Sequence, residues 1–136
     1  MAPTLLNIGI PATSSHVPML ARKSLKKNIE ALEAELKSSP YNAEMAFVDS
    51  DADLKALSDK LKERKWDLIH IGGKRCAPIL LSYVIADLCV VGLRTGPTPI
   101  FEKIVNVAVT DAPGAKFAFS EEITKTMQAC QRVIPA

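Results

Sequence analysis

Apolar runs that recur at intervals too long for hairpins constrain this chain more than any other feature. Such runs fall at residues 5–10 (Leu-Leu-Asn-Ile-Gly-Ile), 43–48 (Ala-Glu-Met-Ala-Phe-Val), 66–73 (Trp-Asp-Leu-Ile-His-Ile-Gly-Gly) and 115–119 (Ala-Lys-Phe-Ala-Phe). A hairpin joins antiparallel strands through about two to five residues, whereas a parallel pair needs a crossover of about a dozen or more, usually a helix. Every interval here is long enough for a helix. Strands and helices therefore alternate, and a parallel sheet covered by helices on both faces is expected.

The intervals carry helical signals of their own. The loop Pro11-Ala12-Thr13-Ser14-Ser15-His16-Val17 is rich in hydroxyls and turn formers. After it, Pro18 suits a first helical position, and Leu25, Ile29, Leu32 and Leu36 recur at helical spacing. That helix is expected to stop near Ser38-Ser39-Pro40, because the residue before a proline avoids helical geometry. Ser50 followed by Asp53 predicts an N-cap, with Leu54, Leu57 and Leu61 as the buried stripe and basic residues within 62–65 closing the helix. Thr98-Pro99 predicts a third helix start, with Ile100, Phe101, Ile104, Val105 and Ala108 inward and an end near Asp111-Ala112-Pro113-Gly114. Ser120 predicts the cap of a last helix, with Glu121 and Glu122 in its first turn and Ile123, Met127 and Cys130 facing inward. Right-handed crossovers through this order predict one α/β domain over residues 1–136. Its architecture is a three-layer, flavodoxin-like or Rossmann-like open sheet of strand order 2-1-3-4.

Composition excludes some partners. A net charge of +2 is too small to imply a nucleic acid or a membrane surface, and an aromatic content of 5% gives little for single-stranded bases to stack on. Neither partner is expected. Cys76, Cys89 and Cys130 are odd in number and widely spaced, which fits free thiols in a reducing compartment, with the cytoplasm as default. The start Met1-Ala2-Pro3-Thr4 has no basic region before its apolar run, so no signal peptide is expected.

Residues 77–93 are almost wholly apolar, with neither helical nor alternating periodicity. A membrane helix needs about 20 apolar residues, and this run is short and holds Asp87. A buried helix or strand is the plainer reading. A third reading, an insertion, follows from a resemblance given below.

Ligands of open α/β sheets bind outside the carboxyl ends of strands, where the strand order reverses. Order 2-1-3-4 puts that point between the first and third strands and brings the loop at 11–17 beside Gly72-Gly73-Lys74-Arg75. Glycines let a ligand approach the backbone, and Lys74, Arg75 and Arg94 add positive charge, so a phosphate or carboxylate is the expected ligand class. Ser14 and Ser15 are candidate phosphate ligands or nucleophiles. His16 is a candidate acid–base group, because an imidazole titrates near neutrality. Each also has a plainer role: a tight turn for Gly72-Gly73, solvated surface for the cations, helix capping for the serines, an ordinary loop position for His16. There is no Gly-x-Gly-x-x-Gly, Walker sequence or nucleophile elbow. His70, between Ile69 and Ile71, is expected to be a hydrogen-bonded core residue. Asp49, Asp51 and Asp53 are expected to cap the second helix rather than to hold a metal. A receiver-type phosphotransfer site is not expected either, because the first and third strands end in Ile10-Pro11 and Ile71-Gly72 without acids. No motif names a cofactor, and scarce aromatics argue against a flavin.

Several stretches carry a family resemblance. They are Leu6-Asn7-Ile8-Gly9-Ile10-Pro11, Ser15-His16-Val17-Pro18, Trp66-Asp67 with Ile71-Gly72, and Gly92-Leu93-Arg94 with Pro99, Phe101-Glu102, Ile104 and Asn106. In these the chain resembles a family of small uncharacterised fungal and bacterial flavodoxin-like α/β proteins. The resemblance implies the fold and the place of the site but no chemistry. It implies that Arg94, more than Arg75, points into the site. It leaves out about residues 73–90. Joined across that gap, Ile69-His70-Ile71-Gly72 runs into Val91-Gly92-Leu93-Arg94-Thr95-Gly96-Pro97 as a compact strand, glycine turn and helix start. The apolar segment then reads as an insertion, such as a translated intron. The candidate ligand-binding set is Ser14, Ser15, His16, Gly72, Gly73, Arg94 and Thr95. Two function classes stay open: a protein that binds, with or without catalysis, an anionic small molecule, and a non-catalytic interaction module or homodimer.

Overall fold

A computed structural model of the chain describes residues 1–14, 17–72, 98–120 and 123–136, the side chains of 98–101 excepted. The described elements are β1 (Thr4–Gly9), α1 (Met19–Lys37), β2 (Asn42–Phe47), α2 (Asp51–Glu63), β3 (Leu68–Gly72), α3 (Thr98–Asp111) and β4 (Lys116–Ser120), then a 3-10 turn (Ile123–Lys125) and α4 (Thr126–Val133). All strand pairs are parallel and the order is β2-β1-β3-β4, as the crossover argument requires. Ile8 lies opposite Ala46 on one side and Ile71 on the other, and Gly72 lies opposite Ser120.

Side chains alternate across a strand, so each central strand supplies two cores. Leu6, Ile8, Ile69 and Ile71 pack with Leu57, Leu61, Trp66, Ile104 and Ala108 against α2 and α3. Leu5, Leu68 and Ala118 pack with Leu32, Leu36, Met127 and Cys130 against α1 and α4. β1 and β3 are buried on both faces, which is why their sequences are apolar without alternation. Each such leucine or isoleucine contributes roughly 1.5–3 kcal/mol on leaving water.

The helix starts follow local chemistry, with two departures from expectation. The Asp53 carboxylate accepts from the amides of Asp49 (2.9 Å) and Ser50 (3.2 Å), so the α2 cap forms as expected. Pro18 is not the first residue of α1 but the residue before it. Its φ of −55° and ψ of 139° are extended, while its carbonyl already accepts from the Ala21 amide at 2.9 Å. Ser120 does not cap the last helix. Parallel pairing with Gly72 makes it the final residue of β4, and α4 begins only at Thr126. Met127 and Cys130 are nonetheless buried as expected. Trp66 and Asp67 precede β3 rather than open it. Trp66 is buried, its indole N–H donates to the Lys60 carbonyl at 3.4 Å, and the Arg64 guanidinium lies 4.2 Å above the ring. Asp67 accepts from the Thr4 amide and hydroxyl, each at 2.9 Å, and the amide bond first of all holds its carboxyl below the usual range.

The apolar stretch 77–93, with the insertion, buried and membrane readings made for it, lies outside the described residues. Among the described residues no helix is long and apolar enough to cross a membrane.

Candidate functional site

The sheet reverses direction of growth between β1 and β3: the chain steps from β1 to β2 on one side and returns to place β3 on the other. One residue past the Ile8–Ile71 pair, these strands end in Gly9 and Gly72. A Cβ built on Gly9 meets nothing within 4 Å among the described residues. At Gly72 it would meet the Ile8 carbonyl oxygen at 3.6 Å and His70 Cε1 at 4.0 Å, both ordinary contacts, and neither glycine has a positive φ. Among the described residues, packing does not demand glycine at either position.

The loop after β1 leans the other way. Ser14 is buried, its amide donates to the Pro11 carbonyl and its own carbonyl accepts from the Val17 amide, both at 3.0 Å. Its hydroxyl donates to the Asp49 carboxylate beyond β2, and the Val48 amide donates to the Gly9 carbonyl at 2.9 Å. Ser14 thus ties the loop to β2, on the side of β1 opposite β3, and it does so without capping a helix. The Asp49 carboxylate disfavours an anion at the Ser14 hydroxyl, while the Arg22 guanidinium donates to the Val17 and Ser14 carbonyls at 3.3 and 3.5 Å on the same loop. Of the residues selected from sequence, Ser14 and Gly72 are described and sit at different ends of this edge. Ser15, His16, Gly73, Lys74, Arg75, Arg94 and Thr95 lie outside the described residues.

A second feature crosses the same edge on the face under α1 and α4. His70 is 1% exposed and both its ring nitrogens are bonded. An amide oxygen can only accept, so His70 Nδ1–H donates to Asn7 Oδ1 at 2.6 Å. A neutral ring then offers Nε2 as an acceptor, and Ser120 Oγ–H donates to it at 2.8 Å. Burial pushes the imidazole down from 6.5 to about 4, so the ring is neutral at pH 7. Asn7 is 4% exposed, whereas Ser120 is only half-buried at the carboxyl end of β4. His70 is the hydrogen-bonded core residue expected, and its partners are Asn7 and Ser120. The signal for one was present: Asn7 and His70 are each a polar residue set between apolar neighbours in β1 and β3.

The three described aspartates just beyond β2 are committed. Asp51 pairs with Lys103 at 2.8 Å, Asp53 caps α2, and Asp49 holds Ser14. No group of metal-binding side chains occurs among the described residues. Cys130 is a buried free thiol whose pKa burial pushes up to about 11.

Fold and edge together define the class: an α/β protein with a flavodoxin-like parallel sheet and a crevice position at its β1/β3 switch. No protein-family model matches the chain, and no curated protein matches it.

Proposed function

We propose that the chain binds a small anionic molecule, a phosphate or a carboxylate, at the carboxyl edge of β1 and β3. The observation that carries this reading is the pairing of β1 with β3 at a point where the strand order reverses and both strands end in glycine. Open α/β sheets bind ligands at such points. Gly72 and Gly73 would admit the ligand, with Arg94 and Thr95 supplying charge and a hydroxyl, and Ser15 and His16 closing the other rim. The buried free thiol of Cys130 supports a reducing compartment such as the cytoplasm.

A thermal-shift screen of nucleotides, sugar phosphates, flavins and carboxylates tests the proposal. A ligand at a hundred times its dissociation constant stabilises by roughly 2.7 kcal/mol, or a melting shift of roughly 10 °C for a domain of this size. Arg94→Ala is expected to remove the shift. Silence across the whole panel, with a dimer in solution, favours the interaction module. The features that reading draws on are Met19 and Leu20, 80% and 83% exposed at the start of α1.

A further inference from the structure

We propose that Ser120 is a nucleophile toward carboxylic esters, with His70 as its general base and Asn7 as the residue that positions His70. The inference stands apart from anion binding at Gly72 and fails or survives on different data.

Three things carry it. The nucleophile, base and orienting group are joined in one line: Ser120 Oγ–H to Nε2 at 2.8 Å, and Nδ1–H to Asn7 Oδ1 at 2.6 Å. These contacts lie within the reach that proton transfer requires, and the tautomer they impose leaves Nε2 free to take a proton. The acceptor Oδ1 also holds the ring orientation, as an asparagine does in cysteine–histidine–asparagine enzymes. Finally, the three residues are buried unequally. Asn7 and His70 are closed off from water, while Ser120 is half-buried at the carboxyl end of the sheet, where substrates of this fold class arrive.

The chemistry balances without a redox partner. Ser120 Oγ bonds to the acyl carbon as its proton moves to Nε2, and the bond from that carbon to the leaving oxygen breaks. The same proton passes to the leaving group, releasing an alcohol. Water then adds to the acyl-serine, giving one proton to Nε2. That proton returns to Ser120 Oγ as the carboxylic acid leaves. Asn7 carries no charge to stabilise the imidazolium, and the ring lies in a dry site, so turnover is expected to be slow.

The test uses the full chain with a fluorophosphonate, whose phosphorus is captured by an activated serine, and with p-nitrophenyl acetate. Peptide mapping is expected to find one adduct, on Ser120. Ser120→Ala is expected to abolish both the adduct and ester hydrolysis while melting within a few degrees of wild type. Assistance by a general base is typically worth about a hundredfold or more, so Asn7→Ala, which frees the ring, is expected to slow labelling at least about tenfold. The pH profile separates base assistance from plain structure. Labelling is expected to be flat from pH 8 to about 5.5 and to fall below that, because a ring of pKa about 4 must be neutral to accept a proton. On the elements packed over this face, Cys130 of α4 and Tyr41 before β2 have raised pKa values and stay uncharged over that range. Arg132 of α4 donates to the Phe119 carbonyl at 3.5 Å. No adduct, an adduct on another serine, hydrolysis unchanged in Ser120→Ala, or a rate that climbs in proportion to hydroxide would each overturn the proposal. Should Asn7→Ala fail to fold, Ser120→Ala and the wild-type pH profile decide it.

Discussion

Acid is expected to weaken this protein through His70. His70 has an ordinary imidazole pKa of 6.5 when the chain is unfolded and about 4 when folded, because charging it means charging a site with 1% exposure. Between those values the unfolded chain binds the extra proton, so stability rises with pH. The contribution is complete above about pH 7, declines as pH falls through 6.5, and levels off below 4. Linkage over that interval gives a loss of about 2 kcal/mol at pH 5 and about 3 kcal/mol at pH 4. Asp67 and Glu44, whose pKa values are lowered chiefly by the Thr4 amide and by Lys60, act in the same sense but only at lower pH. Measurements at pH 7.5 and 5 therefore isolate the imidazole. Urea unfolding at both pH values is expected to show the loss in the wild type and little of it in His70→Gln. The chain has two histidines, so the His70 Cε1 proton is readily assigned by NMR and is expected not to titrate above pH 5. A His70 resonance that titrates between 6 and 7, or an equal acid loss in His70→Gln, would refute the reasoning.

Three substitutions probe the frame around it. Trp66→Ala removes a side chain that is 2% exposed and is expected to cost about 3–5 kcal/mol, read from the urea midpoint. Tyr41→Phe deletes the hydroxyl that donates to the Ile134 carbonyl at 2.6 Å and is expected to cost about 1 kcal/mol, with faster amide exchange after residue 133. Gly72→Ala adds a Cβ that, among the described residues, meets ordinary contacts at 3.6 and 4.0 Å, so it is expected to be neutral or to stabilise by up to about 1 kcal/mol. The same alanine narrows the strand end, and a reduced thermal shift with anions is the accompanying expectation. A drop in melting temperature would show that the fold itself needs glycine there.

Much of the frame was legible because it rests on local rules. Leu32 and Leu36, or Leu57 and Leu61, are buried where helical spacing puts them, and Asp53 caps α2 because a carboxylate three residues after Ser50 can reach two free amides. The misreading of Ser120 has a physical cause. A serine followed by two glutamates is a good cap in isolation, but pairing with Gly72 and the bond to His70 hold it in the strand. The loop serine was equally ambiguous: Ser14 could cap or bind, and the carboxylate of Asp49, 35 residues away, takes its hydroxyl.

The sequence by itself determined the alternation of strand and helix, the parallel sense of the sheet and the double burial of β1 and β3. Each of these follows from residue spacing and from the length a crossover needs. Only the tertiary structure decided which polar groups meet. Asn7 and His70 are 63 residues apart, and His70 and Ser120 are 50 apart, so their contacts depend on the register of three strands that are not consecutive in the chain. A slip of one residue in any of those pairings would turn a member of the row to the opposite face, and no local pattern records that choice.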